Sequence, residues 1–94
     1  MSWNTIQLKY QLIRISEILL SWARFTKSTH FDLLRNHRAD LLVDEWSLPE
    51  LENLKANFWD IIVQSKDRRL YEDLKQFFVH EEYHTDPTSM TSVS

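Results

Sequence analysis

The 94-residue chain contains no glycine. At ordinary usage of about 7%, a chain of this length holds roughly six or seven. Glycine lets backbone turn through positive φ and approach a phosphate closely. Its absence excludes the P-loop, the dinucleotide fingerprint, the nucleophile elbow and the EF-hand loop. The KH clamp and the RRM signature are excluded as well. No helix here can end in the usual left-handed glycine cap. Asparagine, serine or a direct run into the next helix start is expected instead, as at Trp46-Ser47-Leu48-Pro49. Such a chain is helix with minimal loop, and loops carry a large share of catalytic residues. The composition therefore lowers the expectation of an enzyme and directs attention to helix faces.

Helical spacing accounts for most of the chain. The first helix is expected over about residues 3–27. Leu8, Leu12, Ile15, Leu19 and Trp22 step by four and three, as in heptad packing. Trp3, Ile6, Tyr10 and Ile13 form a second stripe, which Glu17 interrupts and Leu20 resumes. Over residues 5–13 apolar and polar residues also alternate, which suits a strand, but the helical spacing explains more of the segment. A helix with two apolar stripes has two things to pack against.

The second helix is expected to start near Thr29, with Thr29 and Asp32 as a capping pair. Its rough apolar face is Phe31, Leu34, Leu41, Leu42 and Trp46, with Arg38 inside it and expected to snorkel. The third helix has the clearest start, because Ser47-Leu48-Pro49-Glu50 is a capping box with proline in the first turn. Leu51, Leu54, Phe58 and Ile61 follow on one face. A fourth helix is expected over about residues 67–84, carrying Leu70, Leu74 and Phe77 in one row. With no glycine or proline in residues 64–69, fusion of the third and fourth helices into one bent helix stays open. Residues 85–94 have no periodicity and are expected to be a disordered tail. The expected fold is all-α, a compact antiparallel bundle of about four helices over residues 1–84.

Cysteine is also absent, which excludes disulfides, thiolate nucleophiles and zinc-finger cores. Four tryptophans, Trp3, Trp22, Trp46 and Trp59, raise the aromatic content to 13%, which favours a packed domain over a disordered chain. Net charge is only −3, but it is uneven: residues 1–38 sum to +4 and residues 39–94 to −7. Either the halves complement each other when folded back or dimerised, or Arg14, Arg24, Lys27, Arg35 and Arg38 form a basic face for an acidic partner. No secretory leader or membrane-length apolar run is visible, so a cytoplasmic location is expected.

The motif that most resembles chemistry is His80-Glu81-Glu82-Tyr83-His84, which fits the H-E-x-x-H pattern of zinc proteases. That chemistry needs a third ligand and a cleft, and the ten residues after His84 supply neither a histidine nor a glutamate. Glu81 and His84 also fit half of a di-iron carboxylate site, with the other half owed by a dimer mate. His80, Glu81 and His84 are thus candidates for a metal-binding bundle, the alternative reading. His30 and His37 lie two turns apart, about 10.5 Å along a helix and too far for one metal. No serine sits in a context that would activate it, and no catalytic residue, cofactor or small-molecule substrate is assigned. Nucleic acid recognition through the basic N-terminal half ranks third, because acids are mixed among those bases.

The leading expectation is a non-enzymatic regulator, adaptor or inhibitor acting by protein–protein contact. Its contact residues would be Trp3, Ile6, Tyr10, Ile13 and Leu20, the stripe left over once the first helix has sealed a core. The partner's identity is not legible, and a twofold homodimer is the expected assembly.

Overall fold

In the computed structural model, which describes residues 3–78, the segment that alternates in sequence is helical, and α1 runs unbroken over Trp3–Thr26. Then come α2 (Phe31–Val43), α3 (Leu48–Ser65) and α4 (Arg68–Leu74), followed by one 3₁₀ turn, Lys75–Phe77. Among the described residues there is no strand, and the fold is an all-α bundle.

Side-chain contacts give the direction of each helix. Lys9 reaches the carbonyl of Asp44 (3.1 Å), Glu17 pairs with Arg38 (3.2 Å), and Arg24 lies 5.8 Å from the centroid of the Phe31 ring. Residue numbers rise along α1 as they fall along α2, so the two form an antiparallel hairpin. The Trp22 indole N–H donates to Asp67 at 3.1 Å, which sets the end of α3 beside the end of α1. The chain therefore runs up, down, up along α1, α2 and α3. Trp59 on α3 then touches both Tyr71 and Phe78, with ring centroids 5.8 and 4.8 Å away, so α4 and its 3₁₀ turn run back down.

The α1 helix packs against each of the other three. Leu12, Ile15, Leu19 and Ala23 on α1 are fully buried with Leu34, Leu41, Leu51, Phe58 and Leu74. Ser16 is buried on the same face and satisfies its hydroxyl on the Ile13 carbonyl at 2.7 Å. Two sequence irregularities resolve as one contact. Glu17 interrupts an apolar stripe of α1 and Arg38 interrupts the apolar face of α2, and the two pair with each other. A pair this exposed adds little stability, but it matches the helices' register. Lys55 is a buried residue that periodicity does not flag; its ammonium lies 5.3 Å from the centroid of the Phe78 ring.

Helix ends follow the sequence at both ends of α1, at the start of α3 and at the start of α4, which Asp67 caps, and depart from it in three places. At α3 both bonds of the capping box are present: the Glu50 N–H donates to the Ser47 hydroxyl (3.3 Å) and the Ser47 N–H to the Glu50 carboxylate (3.0 Å). Helix α2 begins at Phe31, and its cap position, His30, makes no side-chain capping bond. Ser28, not Thr29, supplies the local hydroxyl, accepting from the His30 N–H at 3.1 Å, and Asp32 pairs with Arg35 at 3.5 Å. The α-helix expected over residues 67–84 stops at Leu74 and tightens to 3₁₀; residues 79–94, with the metal candidates His80, Glu81 and His84 and the expected tail, lie outside the described residues.

The third departure concerns glycine. Lys27 (φ 57°) and Lys66 (φ 53°) take the left-handed conformation that glycine would supply. After α1, the Ser28 N–H bonds the Ala23 carbonyl at 2.9 Å, the long bond of a Schellman ending. After α3 a hydroxyl relays the equivalent bond. The Asp67 N–H donates to Ser65 Oγ (3.1 Å), which donates to the Ile62 carbonyl (2.6 Å). The left-handed turn at Lys66 separates α3 from α4, so the two are not one bent helix.

Candidate functional site

The second apolar stripe of α1 divides between packing and exposure. At about 100° of rotation per residue, Ile6, Ile13 and Leu20 lean towards α2, and Ile13 and Leu20 pack against the core while Ile6 is half-buried. Trp3 and Tyr10 point away from every other helix and are 67% and 66% exposed. Central placement of α1 thus accounts for two members of the stripe and leaves its aromatic members on an outer ridge. Phe25, at 89% the most exposed large apolar residue described, lies further along α1.

A third row of α1, Ile18, Trp22 and Phe25, meets the start of α4. Together with Leu70, Arg69 and Asp73 it lines an open groove of about 430 Å³. The bonded pair Trp22 and Asp67 also lines this groove. Asp67 also caps α4 through the Leu70 N–H at 3.0 Å. That bond, and then the Trp22 indole, hold the Asp67 carboxyl below its ordinary value. The groove was readable in principle, since these three residues of α1 step by four and three. Nothing local, however, says that α4 will lie beside them.

Among the described residues, the five predicted contact bases have different surroundings. Arg14 is exposed and makes no ion pair, and Lys27 is exposed in the turn after α1. Arg24 and Arg35 both lie 5.8 Å from the Phe31 ring centroid, and Arg35 and Arg38 have the acidic partners named above. The sequence sets Arg68 and Arg69 apart from this group, but the Trp22–Asp67 bond brings them, with Lys66, to the same end of the bundle. That end carries Arg24, Lys27, Arg35, Lys66, Arg68 and Arg69 against Asp32, Asp67 and Asp73, a surplus of three positive charges. At the opposite end, around the α2–α3 connection, Asp40, Asp44, Glu45, Glu50 and Glu52 stand among the described residues against Lys9, a surplus of four negative charges. Folding back therefore does not neutralise the basic half against the acidic half. It sorts much of the charge to opposite ends.

His37 is half-buried on α2, edge-on to Phe58 with ring centroids 5.8 Å apart. Burial pushes the imidazole below its ordinary value of 6.5, and the neighbouring Asp40 carboxylate opposes the shift. A base with a depressed folded value stabilises the fold fully above 6.5. That contribution is lost as pH falls through the folded value. Replacing His37 by Phe keeps a ring against Phe58 and removes the titration. The drop in melting temperature from about pH 7.5 to about pH 5.5 is expected to be smaller in this variant than in the wild type. An equal or larger drop would show that His37 does not contribute to the acid sensitivity.

No group of three or more histidine, aspartate or glutamate residues among the described residues is arranged to hold a metal ion. No helix among them is long and apolar enough to cross a membrane. No family model matches the chain, and comparison with curated proteins and with solved structures finds no match.

Proposed function

We propose that this chain is a small non-enzymatic regulator, adaptor or inhibitor that works in the cytoplasm by protein–protein contact. The supporting observation is the pair Trp3 and Tyr10, held two-thirds exposed on the outer ridge of α1 while their stripe-mates pack inward. A rigid helix presents both rings at two-turn spacing, about 10.5 Å apart along the axis. Large aromatic side chains lose little conformational entropy on docking and dominate interface hot spots. Arg14 stands on the same ridge and is free to meet an acidic residue on the partner. In this mechanism the partner buries the rings and the exposed bases steer its approach.

The test is affinity capture with the whole chain, followed by titration of the captured partner against Trp3→Ala and Tyr10→Ala. Each variant is expected to weaken binding by at least about thirtyfold, the cost of about 2 kcal/mol that truncating a hot-spot residue carries. Each should leave the melting temperature nearly unchanged, because exposed substitutions stay within about 0.5 kcal/mol. Unaltered affinity in both variants would remove the ridge from the interface.

A further inference from the structure

We propose that the bundle associates with a second copy of itself, the basic end of each molecule lying against the acidic end of the other. This does not depend on a foreign partner. The two ends carry opposite charge surpluses among the described residues, built from side chains that, Lys9 and Asp67 apart, are exposed. The 13 residues of α2, which run from one end to the other, separate them by about 20 Å at the usual helical rise. The Debye length at physiological salt is about 8 Å. The two surpluses therefore do not neutralise each other within one molecule, and only a contact between molecules brings them together.

Charge alone is a weak adhesive at a protein surface. Both ends, however, also expose apolar side chains. Phe25 (89%) and Leu33 (47%) accompany the bases. Val43 (78%) and Leu42 (52%) accompany the acids. Exposed apolar side chains beside charge of one sign, facing apolar side chains beside charge of the other, supply both buried area and electrostatic fit to an interface. The chain carries both halves of that match, which identifies the occupant of each end as the other end. Two molecules side by side and antiparallel make the contact twice about a twofold axis, so the assembly closes as a dimer.

The experiment is sedimentation of the full chain over a range of concentrations at low salt and at about 0.5 M salt, where the Debye length is about 4 Å. The wild type is expected to move from monomer towards twice 11.4 kDa at low salt. High salt should weaken this association at least about tenfold. Arg68→Glu with Arg69→Glu removes the positive surplus of the basic end. Asp44→Lys with Glu45→Lys removes the negative surplus of the acidic end. Both pairs suit the fold, because acids are favoured at the start of α4 and bases after the end of α2. Helicity and melting should therefore be kept. Either double variant alone is expected to stay monomeric. A one-to-one mixture of the two restores one charged contact and is expected to associate more strongly than either variant alone. A monomeric wild type at low salt, association indifferent to salt or to both double variants, or a mixture no better than its components would each overturn the proposal.

Discussion

Replacing Phe58 by alanine is expected to destabilise the protein by about 3–5 kcal/mol, the usual range for deleting a buried phenylalanine. Phe58 is fully buried on α3, within a cluster that draws residues from all four helices, and its ring receives the edge of His37 from α2. Truncation removes that ring and leaves a void that the surrounding helices fill only in part. Total stability in domains of this size is about 5–15 kcal/mol, so the loss is a large share of it. Urea unfolding read by far-UV circular dichroism measures the effect. Phe58→Leu retains more volume and is expected to lose less. A loss below about 1 kcal/mol for alanine would fit a surface position and contradict a core centred on this ring.

The second large effect has the opposite sign. Lys27→Gly and Lys66→Gly are expected to stabilise the chain, although each deletes a whole side chain. Both lysines sit at positive φ, 57° and 53°, and both are exposed. The left-handed conformation costs a residue with a Cβ atom about 1–2 kcal/mol. Glycine avoids that cost but gives up roughly 0.5–1 kcal/mol to the entropy of the unfolded chain. The net gain is about 0.5–1 kcal/mol per site and about 1–2 kcal/mol for the double variant. Each kcal/mol raises the melting temperature of a domain this size by about 4–8 °C. Thermal melts of the two single variants and the double variant give the answer, and a lower melting temperature in both singles would contradict left-handed caps. The gain should be close to additive, because the two caps share no partner.

These caps show where sequence reading stops. Absence of glycine leads to the expectation that asparagine, serine or a direct run closes each helix, and serines do take part, through the Ser28 N–H and the Ser65 hydroxyl. The left-handed residue itself is lysine at both ends, which propensity disfavours. The bonds that Ser28 and Asp67 make one residue later, together with the packing of the flanking helices, hold it there. The start of α3 was legible in full, because Ser47 and Glu50 satisfy each other within one turn. The end of α4 was not. Residues 67–84 contain no breaker, yet the α-helix ends at Leu74 and the 3₁₀ turn that follows carries Phe78 into the core against Trp59.

The candidate site divides the same way. Heptad spacing marks two stripes on α1 but not which one meets another helix. Trp3 and Tyr10 are exposed, and Ile13 and Leu20 covered, because α2 returns along one flank of α1. The charge counts of the two halves were correct in sequence but did not show where the charge lies. Arg68 and Arg69 join Arg24 and Lys27 through a bond between Trp22 and Asp67, residues 45 positions apart. Helical class, apolar faces and the α3 cap depend on interactions three or four residues long, which a sequence displays directly. The outer ridge, the groove beside Phe25 and the segregation of charge to opposite ends depend on which helix lies beside which. That choice is made by packing over the whole core, between residues far apart in the chain, and no local pattern encodes it.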